Sequence, residues 1–83
     1  MDRKQLAMIN TARLSIMNEL ERAFKGHKRV IIRLVMPGMG RYTIDGFIKV
    51  LNSVSMTVEC EGEDGLYTET FFVNDVRVVS VFE

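Results

Sequence analysis

Few residues in this 83-residue chain have side chains suited to catalysis. His27 is the only histidine and Cys60 is the only cysteine, so one chain cannot build a Ser-His-Asp arrangement or a histidine-containing metal cluster. His27 follows a predicted helix, and we expect it to lie near the last helical carbonyl groups. Cys60 lies in an alternating pattern beside Val58, which predicts a small buried apolar residue. The sequence therefore predicts that the protein is not an enzyme.

Two other motifs are compatible with ligand binding. Pro37–Arg41 contains two glycines, but it joins two predicted strands and lacks the lysine and helix of a phosphate-binding loop. We interpret it as a hairpin turn. A group of acidic residues lies farther along the chain, and its spacing differs from that of a calcium loop. The acidic residues of this group are Glu59, Glu61, Glu63 and Asp64. We interpret them as solvated charges and predict no cofactor and no metal site.

Charge is unevenly distributed although the formal net charge is zero. The stretch from Arg22 to Arg41 contains basic residues and no acid. From Asp45 onward, most of the charged residues are acidic. Such asymmetry can steer a charged partner or favour head-to-tail self-association, and two solvated faces are the simpler interpretation.

The basic stretch predicts an alternative function, nucleic-acid binding. Tyr42 and Phe47 lie nearby and could stack on bases, although Tyr42 also falls in register with the apolar face. The pI of about 6.6 is low for a nucleic-acid-binding domain. The candidate nucleic-acid-binding residues are Lys28, Arg29, Arg33 and Arg41.

A long amphipathic helix is predicted over Arg3–Lys25. Asp2 and Gln5 have the spacing of a capping box, and Gly26 is placed to follow the helix end. The apolar residues recur at helical spacing and form one face: Leu6, Ile9, Ile16, Met17, Leu20, Ala23 and Phe24.

Three residues do not fit this simple amphipathic pattern. Arg13 falls within the apolar face, and Met8 and Leu14 fall outside it. We predict that Met8, Arg13 and Leu14 contact a partner helix. The alternative is that Arg13 extends its charged end to water and that the other two are isolated exposed apolar residues.

The remainder of the chain alternates in the manner of β-strands. The second strand is the longest, with Tyr42, Ile44, Ile48 and Val50 on one face and Gly46 near its middle. A glycine inside a strand is favoured where the chain bends or where another backbone comes close. The predicted strands are Arg29–Met36, Arg41–Ser53, Met56–Glu61, Leu66–Val73 and Val76–Phe82.

These elements predict one α+β domain over residues 1–83, with a helix in residues 1–26 and a small barrel in residues 27–83. Because the links are of hairpin length, the strands should pair as an antiparallel meander. A long second strand that bends at Gly46 would serve two sheets and leave no exposed edge. The predicted architecture is an N-terminal helix followed by a five-stranded antiparallel SH3-like or Sm-like small barrel.

The order of elements resembles the Sm-like small barrels. The segments that carry this resemblance are RVIIRLV, TIDGFIKVLN, MTVECE, YTETFFV and VRVVSVF. Gly46, with Asn52 six positions later, is similar to the Sm pattern of a glycine followed by an acidic residue. This resemblance implies, as the alternative function, a nucleic-acid-binding module.

The chain also resembles the YolD-like proteins of bacteria and their phages. The segments that carry this resemblance are INTARLSIMNELERAF, IDGFIKVLN and FFVNDVRVVSV, together with a basic first strand. The resemblance implies an accessory partner of error-prone Y-family DNA polymerases in the DNA-damage response, acting through protein–protein contact without catalysis.

The predicted location is the cytoplasm of a bacterium or of a phage-infected cell. No apolar run approaches the roughly 18–20 residues that span a bilayer, no signal peptide is recognisable, and a single cysteine fits a reducing compartment. We therefore predict a non-enzymatic protein-binding module, with a nucleic-acid-binding module or a structural homo-oligomer joined by helix pairing as alternatives.

Overall fold

The computed structural model describes the backbone of residues 3–83 and the side chains of residues 13–83. The predicted order of one helix and five strands is confirmed. A 3-10 turn at Val73–Asp75 separates the last two strands. The elements are α1 Arg3–Lys25, β1 Val30–Met36, β2 Gly40–Leu51, β3 Ser55–Gly62, β4 Gly65–Phe72 and β5 Val76–Val81.

The end of α1 is closed by backbone hydrogen bonds. The Gly26 amide donates to the Arg22 carbonyl, and the Lys28 amide donates to the Ala23 carbonyl. Gly26 follows the helix as predicted, but the residue with a left-handed backbone is His27, at φ 50°. The His27 amide donates to the Phe24 carbonyl, so the prediction that His27 lies at the helix carbonyl groups is confirmed. As described, α1 is not long and apolar enough to cross a membrane.

The strands form one antiparallel sheet in the order β4-β3-β2-β1-β5. The first half of β2 pairs with β1 as far as Val30 opposite Gly46, and the second half pairs with β3 from Phe47 opposite Glu59. A Cβ atom on Gly46 would lie 2.1 Å from the Glu59 carbonyl oxygen, so only glycine fits where β2 changes partners. Of the two reasons considered for a glycine here, a bend of the strand and the close approach of another backbone, the contact with Glu59 shows the second.

The predicted antiparallel meander is confirmed for β1 to β4, but the predicted position of β5 and the predicted closure are wrong. β5 pairs with β1 instead of β4, and the sheet is not closed, because β4 and β5 form its two edges. The physical reason is the Val73–Asp75 turn, which carries the chain from one edge to the other. Since only three residues link the two edge strands, the sheet must be strongly curled.

One strand residue faces the opposite way from its prediction. Val50 was expected beside Ile48 on the inner face of β2, but its side chain is 54% exposed. The pairing of β2 with β3 shifts register between Ile48 and Val50, and such a bulge breaks the two-residue alternation. Leu51 is instead half-buried and packs against the core.

The core lies between the inner face of the curled sheet and one face of α1, which packs against β2 and β5. Cys60 is buried among apolar residues, as predicted. No polar or charged residue is buried among the residues whose side chains are described. The core residues are Leu20, Ala23, Val30, Ile32, Leu34, Ile44, Ile48, Met56, Val58, Cys60, Phe71, Val73 and Val76.

Candidate functional site

The predicted helix flank of Met8, Arg13 and Leu14 is described only in part. Met8 lies outside the residues with described side chains. Arg13 Nη1 donates to the Asn74 carbonyl oxygen at 3.1 Å, so Arg13 joins α1 to the Val73–Asp75 turn. Leu14, the next residue, is 65% exposed and available for contact.

Two of the four predicted nucleic-acid-binding residues are engaged within the protein. Lys28 Nζ lies 2.8 Å from a Glu83 carboxylate oxygen. Arg29 Nε donates to Asp45 Oδ1 at 2.7 Å, its Nη2 contacts the other Asp45 oxygen, and its guanidinium lies 5.0 Å from the Phe82 ring centroid. The Arg29 hydrogen bond holds the pKa of Asp45 below its usual value, and the Lys28 hydrogen bond does the same for the pKa of Glu83.

The other two predicted residues, Arg33 and Arg41, lie together on the outer face of the sheet. Arg33 is opposite Thr43 on β2 and opposite Val78 on β5, and Arg41 is opposite Val35. Arg77, which was not predicted, lines the same shallow groove. We call Arg33, Arg41 and Arg77 the arginine face.

The predicted stacking residues are not available for stacking beside the arginine face, although Tyr42 is among the residues that line its groove. Tyr42 is half-buried, its ring centroid is 5.8 Å from that of Phe71, and its hydroxyl donates to Glu69 at 3.4 Å. The negative charge of Glu69 raises the pKa of Tyr42. Phe47 is 41% exposed and lines a different groove, beside Arg29 and Asp45. The interpretation of Tyr42 as a residue packed against the core is confirmed.

An apolar groove lies at the end of the sheet where β4 meets the 3-10 turn. Val54 and Phe72 are each 63% exposed there. Asn74 and Asp75 lie along the rim, next to the point where Arg13 is bound. The residues that define this apolar groove are Met36, Pro37, Val54, Phe71 and Phe72.

Hydrogen bonds hold the groove in shape. Asn52 Oδ1 accepts from the amides of Val54 and Ser55, both at 2.8 Å, which fixes the β2–β3 turn. The Val73 amide donates to the Val54 carbonyl at 2.9 Å and ties this turn to the end of β4. Val54 and Phe72 are thus displayed on a fixed backbone.

Sequence reasoning missed both exposed residues of the groove, although a signal was present. Phe71 and Phe72 are adjacent in a strand, and adjacent strand side chains point to opposite faces. Phe71 is buried at 7% exposure, so Phe72 must face outward.

The described residues do not contain a plausible metal site or reactive thiol. No group of three or more histidine, cysteine, aspartate or glutamate side chains that could hold a metal ion occurs within this part of the molecule. Glu59, one of the acids considered above, has its Oε1 atom 3.8 Å from Lys49 Nζ, which is an ion pair within the protein. Burial raises the pKa of the Cys60 thiol, which disfavours the nucleophilic thiolate.

The geometry therefore presents two surfaces of different chemistry, the apolar groove and the arginine face.

In comparisons with known proteins, no family model, no curated protein and no solved structure matches the chain.

Proposed function

We propose that this protein is a non-enzymatic protein-binding module and that the apolar groove is its binding surface. The observation that carries the proposal is the pair of large apolar side chains, Val54 in the β2–β3 turn and Phe72 at the end of β4, each 63% exposed. Single exposed apolar residues are ordinary, but a grouped set that lines a groove is typical of an interaction site. The occupant we propose is a short apolar segment of a partner protein.

The rigidity of the groove supports this proposal. The Asn52 side chain and the Val73 amide hold the Val54 turn in place before any partner arrives. A preformed surface loses less conformational freedom on binding, so more of the apolar contact energy contributes to affinity.

The helix flank extends the same surface. Arg13 is bound to Asn74, and Asn74 lines the rim of the apolar groove. Leu14 is exposed beside Arg13. We therefore place Leu14 at the margin of the interface, where it adds apolar contact to a partner segment that leaves the groove.

The most specific form of the proposal is an accessory partner of an error-prone Y-family DNA polymerase, working in the cytoplasm during the DNA-damage response. The resemblance to YolD-like proteins is its support. An SH3-like or Sm-like architecture would fit the helix followed by five strands, the change of partners at Gly46 and the 3-10 turn before β5.

The test is capture of a purified Y-family polymerase from the same genome by the immobilised full chain. We expect Phe72→Asp to abolish capture, because a carboxylate would be desolvated in the apolar contact. We expect Leu14→Glu to weaken it. The matched control is Leu66→Asp, since Leu66 is 69% exposed at the opposite end of β4.

Two outcomes would count against the proposal in different ways. If Phe72→Asp captures as much polymerase as the wild type, the apolar groove is not the interface. If the wild-type protein fails to bind the polymerase, the polymerase-accessory role is wrong.

A second candidate function, a structural homo-oligomer, is favoured by the two sheet edges. β4 and β5 each pair on one side only, and exposed apolar residues such as Tyr67 and Val78 lie on them. Unpaired edges can add a strand from another copy. Sedimentation equilibrium tests this candidate: Val78→Lys should dissociate an oligomer joined at β5, whereas Leu14→Glu should dissociate one joined by helices.

A further inference from the structure

The arginine face takes no part in the proposed protein-binding groove. Its three residues follow a line across three neighbouring strands. Arg41 on β2 is a diagonal neighbour of Arg33 on β1, since Arg33 is opposite Thr43 and Val35 is opposite Arg41. Diagonal neighbours of this kind have backbones about 7–8 Å apart. Arg33 is in turn opposite the bulge of β5, which contains Arg77.

The bulge explains why Arg77 joins this row. Arg33 pairs with Val78 and Leu34 pairs with Val76, so Arg77 has no partner across the ladder. Val76 is buried, while both Arg77 and Val78 are exposed. Without the bulge, strict alternation would place one of these two neighbours on the inner face.

Arg77 is also held in position. Its Nη1 atom donates to the carbonyl oxygens of Asn74 at 2.8 Å and Val76 at 3.3 Å. These bonds use one nitrogen, and the rest of the guanidinium stays free to donate to a ligand. A positioned guanidinium loses less freedom when it binds an anion than a free one does.

The charge around the row favours a negatively charged ligand. Among the described side chains, no acid forms an ion pair with Arg33, Arg41 or Arg77. The nearest acid on the same face of β2 is Asp45, and Arg29 already neutralises it. The cross-strand neighbours Val35, Thr43 and Val78 are uncharged.

We propose that the arginine face binds the phosphate backbone of single-stranded nucleic acid. Each guanidinium can donate two parallel hydrogen bonds to the oxygens of one phosphate, and a row of them can follow a strand. The open face suits an extended chain. Tyr42 lines the same groove, but its ring packs against Phe71 and the core, so it is not available to stack on bases. We therefore expect binding without base preference.

The test measures binding of a fluorescent oligo-dT to the full chain by fluorescence polarisation, with oligo-rU in a parallel series. We expect the logarithm of affinity to fall with the logarithm of salt with a slope of about −2, because about three phosphate contacts release counterions. Replacing Arg33, Arg41 and Arg77 by glutamine should lower affinity at low salt at least tenfold. Binding of one oligomer alone identifies DNA or RNA as the natural strand.

The matched control replaces Arg22 and Lys28 by glutamine and is compared with the double variant Arg33→Gln, Arg41→Gln. It removes the same amount of positive charge from groups that are already paired with Glu83, and it leaves the Arg29–Asp45 pair intact. We expect it to keep most of the affinity. Arg33→Gln with Arg41→Gln serves as a second variant that leaves the Arg77 hydrogen bonds intact, and circular dichroism establishes that each variant is folded.

Three results would overturn the proposal. The first is no binding of either oligomer by the wild type at about 50 mM salt. The second is an equal loss of affinity in the double variant and the matched control. The third is displacement of the oligomer by polyglutamate at equal charge concentration, which would assign the face to an acidic protein segment. Phe72→Asp should leave oligomer binding unchanged, so this test and the test of the apolar groove fail independently.

Discussion

The two ends of the basic segment carry similar charges but have different surroundings. Lys28 and Arg29, before β1, are paired with Glu83 and Asp45. Arg33 on β1 and Arg41 on β2 form no ion pair with the described acids and face outward beside Arg77. The difference teaches that a basic stretch in a sequence is not one surface. Partners that lie far along the chain decide which of its charges remain available.

The largest expected effect on stability comes from Gly46, where β2 changes its partner from β1 to β3. Gly46→Ala would place a methyl group 2.1 Å from the Glu59 carbonyl oxygen. Because this neighbour is backbone and cannot rotate away, we expect the free energy of unfolding to fall by about 3 kcal/mol or more. Urea unfolding measures this change.

Gly38→Ala is the control for Gly46→Ala. Nothing lies within 4 Å of a Cβ atom at Gly38, but its φ of +78° strains an L residue. We expect a loss of about 1–2 kcal/mol. Equal losses in the two variants would contradict the close approach at Gly46.

A smaller effect on stability should distinguish Lys28 and Arg29, the paired residues, by how the protein unfolds in acid. The pKa values of Asp45 and Glu83 are lowered in the folded protein, chiefly by hydrogen bonds from Arg29 and Lys28. Their contribution to stability is therefore present above the unfolded values of 3.8 and 4.5, and it is lost as the pH falls through the lower folded values. Arg29→Gln should raise the pH midpoint of acid unfolding, measured by circular dichroism.

The matched change for the acid experiment is Arg33→Gln, which removes the same charge from a residue that has no described acidic partner. We expect its acid midpoint to stay close to that of the wild type. If both variants shift the midpoint equally, net charge and not pairing governs the acid response.

The smallest expected effect on stability is that of the arginine face itself. Arg33→Gln combined with Arg41→Gln removes two exposed charges and no described ion pair, so the free energy of unfolding should change by less than about 0.5 kcal/mol. Thermal unfolding in the same buffer as the binding assay tests this. A large destabilisation would show that these arginines support the fold, which would contradict their description as unpaired charges available to a ligand.

Local patterns were sufficient to predict the elements of the fold. The helix bounds follow from apolar residues at helical spacing, and the strands follow from two-residue alternation between turn residues. Gly46 was recognisable because glycine inside a strand needs a reason. These signals depend on neighbours in the chain and not on tertiary partners.

The pairing of β5 and the position of Val50 could not be read from local patterns. Asn74 and Asp75 fall between the predicted fourth and fifth strands, and they form part of a turn that carries β5 to the far edge of the sheet. Val50 is turned outward by a bulge in the pairing with β3. Both outcomes depend on which strands meet, and alternation within one strand does not encode that.

The candidate surfaces were predictable to different degrees. Arg33 and Arg41 were identified by charge alone, whereas the pairing of Arg29 with Asp45 joins residues that are distant in sequence and could not be foreseen. Arg77 joins them only through the bulge in β5. Phe72 was foreseeable, because one of two adjacent phenylalanines in a strand must face outward.

The sharing of β2 between two neighbours also governs how the molecule opens. Its first half is bound to β1 and its second half to β3, so neither half of the sheet can separate without breaking the common strand. Amide protons on both sides of Gly46 should therefore exchange with deuterium only through global unfolding. The small domain should behave as one cooperative unit, and a partner at either surface would stabilise the whole.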